Sequence, residues 1–85
     1  MKVFIVSREF HLNGKLTSKE YIKTFTERQA ATSHIQAQIG ILCTRICAIT
    51  TVKTLTPNRY VVNDYNVETS ILVKQWIFNM TEVEL

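Results

Sequence analysis

The sequence predicts an α+β domain. The expected layout is a small antiparallel sheet of two hairpins, a central helix packed on one face, and a C-terminal helix or fifth strand. Three observations carry this reading. Asn13-Gly14 stands between two strand-like runs, and Asn-Gly is the strongest short-range hairpin signal because a type I′ turn needs positive φ at both central residues. Ile35, Ile39, Leu42 and Ile46 recur at spacings of four, three and four, which is one apolar stripe of a helix. Residues 46–55 then switch to a period of two, and Thr56-Pro57-Asn58-Arg59 reads as a turn.

Residues 2–12 form the first expected strand, because Val3, Phe4, Ile5, Val6 and Phe10 are branched or aromatic types that suit a pleated surface. Residues 15–25 return antiparallel. A two-residue loop sets Leu12 against Lys15, Val6 against Tyr21 and Ile5 against Ile22. The same register sets Arg8 against Lys19, a like-charge pair that invites a slip or a bulge. A helix from Thr17 competes with this strand, since Thr17-Ser18-Lys19-Glu20 has the form of a capping box flanked by Leu16 and Tyr21. The hairpin is preferred, because Asn-Gly is the more specific signal.

A second capping box at Thr26-Glu27-Arg28-Gln29 opens the central helix, with Glu27 suited to the positive end of the macrodipole. Ala30, Ala31, Gln36, Ala37 and Gln38 favour helix, which should end between Leu42 and Cys47. Residues 46–55 and 60–67 make the second hairpin. Thr69 or Ser70 could cap a last helix carrying Leu72, Val73, Trp76, Ile77 and Met80. Residues 71–81 also alternate nearly well enough to be a fifth strand, but helix is preferred, with residues 82–85 frayed.

At 85 residues the chain is one domain, 1–85, without repeat or linker. Hydrophobic residues make up 46% and charged residues 20%, which excludes a disordered chain. Two glycines and one proline exclude collagen-like and low-complexity classes, and two cysteines are too few for a disulfide-stapled miniprotein. The opening apolar run, Val3 to Val6, is far shorter than a secretory h-region or a membrane span. A protein that stays in the cytoplasm, without a membrane partner, is therefore expected.

The net charge of +3 hides an asymmetry. Residues 1–59 hold nine Lys/Arg against Glu9, Glu20 and Glu27; residues 60–85 hold Lys74 against Asp64, Glu68, Glu82 and Glu84. A basic body with an acidic tail favours polyanions or acidic protein surfaces.

No catalytic constellation stands out, and no enzyme activity, metal or cofactor is expected. Cys43 and Cys47 lack the second ligand pair that structural zinc requires. Cys43 and His34 would lie about 13 Å apart along a helix. Glu9 and Glu20 read better as ion-pair partners of the neighbouring Arg8 and Lys19 than as paired acids. There is no Gly-x-Ser-x-Gly and no phosphate loop.

Binding is the stronger option. On a regular strand Lys15, Lys19 and Lys23 share one face with Tyr21 between them, which suits backbone phosphates and a stacked base. Arg28, Lys53 and Arg59 would extend the patch. The same lysines also suit an edge strand protected from aggregation. Trp76, Tyr60 and Tyr65 are candidate protein-binding anchors, or else core.

The run Lys2-Val3-Phe4-Ile5-Val6, the turn at Asn13-Gly14, the stretch Thr17-Ser18-Lys19-Glu20 and the Gln/Ala/Thr-rich helix from Glu27 resemble the layout of the phage antitoxins of the Dmd and TifA type, among the small early proteins of T-even bacteriophages. The resemblance covers about forty of the 85 residues. It implies a stoichiometric inhibitor of a host toxin ribonuclease, engaging RNA in the TifA type, in the host cytosol. No functional motif is shared residue for residue, so no site residue transfers. The leading expectation is such an inhibitor, contacting RNA or its partner through Lys15, Lys19, Tyr21, Lys23, Arg28, Lys53 and Arg59. A small nucleic-acid-binding regulator and a structural or assembly subunit, hence a homo-oligomer, are the alternatives.

Overall fold

A computed structural model describes residues 1–44 and 48–85. It is a small α+β structure with β1 (Lys2–Leu12), β2 (Lys15–Phe25), α1 (Arg28–Leu42), β3 (Ala48–Thr56), β4 (Arg59–Asn66) and β5 (Leu72–Glu84). The strands form one antiparallel sheet in the order β2-β1-β5-β4-β3. Arg45, Ile46 and Cys47, used above in the charge count, the helix stripe and the cysteine pair, lie outside the described residues.

The first hairpin turns on Asn13 and Gly14, with φ of 51° and 80°. Both are in the left-handed region that type I′ demands. No atom lies within 4 Å of where a Gly14 Cβ would sit. Gly14→Ala is therefore expected to cost only the backbone term, about 1 kcal/mol. A urea titration checks this through a lower midpoint at an unchanged slope.

The return strand keeps Leu12 opposite Lys15 but departs from the simple register twice, between Val6 and Ser7 and between Phe10 and His11 of β1. Thr17 and Ile22 are the extra residues of β2. The expected Val6–Tyr21 and Ile5–Ile22 pairs are thus replaced by Val6–Lys23, Ser7–Tyr21 and Ile5–Thr24. The physical gain of the shift at Thr17 is electrostatic. The shift takes Lys19 away from Arg8, sets Glu20 opposite Arg8 and sets Lys19 opposite Glu9. Arg8 and Glu20 then form an ion pair.

β5 settles the C-terminal alternative as a strand, against the preferred helix. Its apolar residues satisfy both periods, so periodicity could not decide. The sheet decides, because β1 and β4 each have an inner edge of backbone N–H and C=O groups to satisfy. β5 supplies both, pairing β1 from Lys2–Glu84 to Leu12–Lys74, and β4 from Arg59–Asn79 to Tyr65–Leu72. Residues 82–84 are accordingly in the sheet rather than frayed, and Leu85 N–H donates to Met1 C=O at 2.7 Å. Neither Thr69 nor Ser70 caps a helix. Asn66 Oδ1 accepts from the Glu68 and Thr69 amides, and Ser70 takes a φ of 58° to bring the chain into β5.

The two faces of the sheet differ. Phe4 and Val6 of β1, Val62 of β4, and Trp76, Phe78 and Met80 of β5 point to the helix face. They pack with Ala31, Ile35, Ile39 and Leu42 of α1. Three residues of the expected stripe thus reach the core. α1 begins one residue later than the capping box implied. Glu27 is its N-cap in an extended conformation and makes no side-chain capping bond. The alternate residues of each strand form an open face that no helix among the described residues covers.

Candidate nucleic-acid interface

The bulges in β2 redistribute the lysine row. Opposed residues of an antiparallel pair share a face. Lys15 stands opposite Leu12 and Lys23 opposite Val6, both on the helix face. Lys19, opposite Glu9, and Tyr21, opposite Ser7, are on the open face. The expected single row of Lys15, Lys19, Lys23 and Tyr21 therefore does not exist, because each extra residue inverts the alternation beyond it. Lys23 instead places its ammonium 5.3 Å from the centre of the Phe25 ring, and Phe25 packs against His34 of α1 at 5.4 Å.

Arg28 is committed elsewhere. Its guanidinium donates to Asn58 Oδ1 at 2.8 Å, approaches Glu82 Oε1 at 3.7 Å and lies over the Phe4 ring at 5.2 Å. It ties the start of α1 to the β3–β4 turn and to β5. Glu82 also lies 4.0 Å from Lys2 Nζ, and Glu84 pairs with the amino terminus at 3.2 Å. The acidic end of the chain is thus folded into the sheet, where it neutralises cations of the helix face.

Lys53, opposite Val61, and Arg59, opposite Asn79, join Lys19 and Tyr21 on the open face. Lys19 and Lys53 stand at the two ends of one cross-strand row, Lys19–Glu9–Ile77–Val61–Lys53. Four strand spacings put their backbones about 19 Å apart. The adjacent row runs Tyr21–Ser7–Asn79–Arg59. Tyr21 is 64% exposed, and its hydroxyl is 2.9 Å from Thr24 Oγ1. Between these residues lie Glu9, Asn79 and the buried Ile77 and Val61, and the next row beyond Lys19 and Lys53 holds His11, Gln75 and Asn63. Gln75 Nε2 donates to Asn63 Oδ1 at 2.8 Å, and Asn79 Nδ2 donates to Glu9 Oε2 at 3.1 Å. His11 Nε2 is 3.5 Å from Glu9 Oε1. Glu9 is the one carboxylate among the described strand residues of this face, against three cations.

The amides of this face were missed at the sequence level. Their signal was the alternation Gln75-x-Ile77-x-Asn79, visible only once that segment is read as a strand. Trp76 is core, its ring tilted against that of Phe10 at 5.3 Å, and is not a surface anchor. Tyr60 is half-buried, and its hydroxyl donates to the Pro57 carbonyl at 3.1 Å. Tyr65 is half-buried on the open face.

For acid–base or thiol chemistry the placements are unfavourable. Glu9 and Glu20 point to opposite faces. Cys43 is exposed at the C-cap of α1, whereas the His34 ring is packed on Phe25. Among the described residues no group of three His, Cys, Asp or Glu is placed to hold a metal ion. No helix among the described residues is long and apolar enough to cross a membrane.

The chain is thus a small α+β protein with five antiparallel strands in one sheet and one helix packed on one of its faces. No protein-family model matches the chain, and no curated protein or solved structure does so either.

Proposed function

We propose that this chain is a small non-catalytic binding protein. In this reading it inhibits a host toxin ribonuclease in the manner of the phage antitoxins, in the host cytosol, and contacts RNA through the open face of its sheet. The observation that supports the reading is the open face itself. Lys19, Lys53 and Arg59 surround a strip of Glu9, Ile77, Val61 and Asn79, and Tyr21 stands exposed at one side. Bases stack on exposed aromatics of such sheets while the surrounding cations hold phosphates. Lys15 and Lys23 lie on the other face and guard the β2 edge, and Arg28 holds the helix.

The reading is tested on the purified chain with a short single-stranded RNA. Three phosphate contacts give a log–log salt slope of about −2. Binding should then weaken roughly twentyfold between about 50 and 200 mM salt. Affinity that does not change with salt would remove the RNA component. A pull-down from host lysate with nuclease added tests the toxin component. The expected capture is a ribonuclease in stoichiometric amount; recovery of a partner without nuclease activity would overturn it.

A further inference from the structure

The two edges of the sheet are built differently, and the difference points to a partner. The β2 edge is protected. Two bulges break its alternation, and lysines project from it to both faces. Such features block pairing with another strand. The β3 edge is less protected: its one register shift lies at its end, between Thr54 and Thr56, with Leu55 as the extra residue. Residues 48–56 contain one charge, Lys53, no glycine and no proline, and six β-branched residues. Its register with β4 is regular from Ala48 to Thr54. Ile49, Val52 and Leu55 are each about half exposed, at 48%, 48% and 50%. An edge that is regular from Ala48 to Thr54 and carries one charge is a template for a further strand.

The sequence of β3 selects that strand. It is complementary to itself when run antiparallel about a two-fold axis through Val52. Within the regular stretch Val52 then meets Val52, Thr51 meets Lys53 and Thr50 meets Thr54; Ile49 meets Leu55, the extra residue at its end. Apart from Ala48, which meets Thr56, each apolar residue opposes an apolar one, and no cation directly opposes a cation, which is how stabilising cross-strand pairs are made. Moving the axis to Lys53 would set that residue against itself. A symmetric contact of this type closes on itself as a dimer.

We propose that β3 is a homodimer seam, at which two copies join their sheets into one of ten strands. The axis is perpendicular to the sheet, so both helices fall on the same side. The two open faces become continuous, with both copies of Lys53 and Arg59 near the middle. The dimer proposal stands on the β3 edge alone and does not depend on what the open face binds.

Light scattering after size exclusion tests it on the full chain. The mass should rise from 9.8 kDa towards twice that value as concentration increases. Val52→Lys, on an exposed edge position, should keep the fold by circular dichroism and return the mass to 9.8 kDa. A cross-link supplies the second measurement. Opposed residues in a sheet have Cα atoms about 4.5–5.5 Å apart, within the range of about 4.4–6.8 Å that a disulfide spans. With Cys43 and Cys47 replaced by serine, Val52→Cys should form a covalent dimer under mild oxidation, and Leu16→Cys on the β2 edge should not. A chain that stays at 9.8 kDa at every concentration would overturn the proposal and leave the β3 edge to a strand of a different protein. A dimer that survives Val52→Lys, or that cross-links through Leu16→Cys instead, would also overturn it.

Discussion

Phe78→Ala is expected to lower the unfolding free energy by about 3–5 kcal/mol. Phe78 is 0% exposed at the middle of β5, the central strand, with Arg8 and Tyr60 opposite it on either side. Its ring is part of the cluster that the helix residues Ala31, Ile35, Ile39 and Leu42 close from above. Removing it loses the transfer energy of the ring and leaves a cavity that two hydrogen-bonded neighbouring strands cannot collapse to fill. At roughly 0.05–0.15 kcal/mol per residue a domain of this size has about 4–13 kcal/mol in total, so the loss is a large share of it. A thermal melt followed by circular dichroism should show the midpoint falling by at least about 12 °C. Phe78→Leu should lose less than half as much, because more of the volume is kept. Leu16→Ala, at an exposed position, should stay within about 0.5 kcal/mol of the parent chain. Equal losses at Phe78 and Leu16 would show that the core is elsewhere.

Charge reversal at Lys19, Lys53 and Arg59 together should weaken RNA binding by about a hundredfold. Each exposed contact is worth up to about 1 kcal/mol, and about 1.4 kcal/mol is a factor of ten. The log–log salt slope should fall by about 0.7 for each phosphate contact removed. Reversal at Lys15 and Lys23, on the helix face, should leave most of the affinity and the slope in place. Arg28→Ala should behave differently from both. It should cost stability, on the order of 1 kcal/mol for its hydrogen bond and its position over Phe4, while leaving the salt slope unchanged. Fluorescence anisotropy across a salt series separates the three variants. If Lys15 and Lys23 matter as much as Lys19 and Lys53, the polyanion follows the β2 edge and not the open face.

These contrasts follow from features that a sequence displays unevenly. The Asn13-Gly14 turn, the Pro57-Asn58 turn and the stripe through Ile35, Ile39 and Leu42 are local. Each depends on dihedral preferences or on neighbours within a few residues, and each appears where it was expected. The site residues were less legible. Period two gave Lys15, Lys19, Lys23 and Tyr21 a common face, and two single-residue bulges separate them. A bulge leaves almost no local mark. The one at Thr17 relieves the opposition of Arg8 and Lys19, which is visible only when two strands are aligned. Arg28 looked like a member of the basic patch because its partners, Asn58 and Glu82, are 30 and 54 positions away.

By itself, then, the sequence determined the two hairpins, the central helix and its buried stripe, because turn dihedrals and helical periodicity are short-range properties. Only the tertiary structure decided that residues 72–84 are a strand, since the unpaired inner edges of β1 and β4 outweigh an ambiguous local pattern. The same pairing brings the carboxylates of Glu82 and Glu84 back to Lys2, Arg28 and the amino terminus. It was the sheet register, with the two bulges of β2, that sorted the remaining cations between a covered face and an open one.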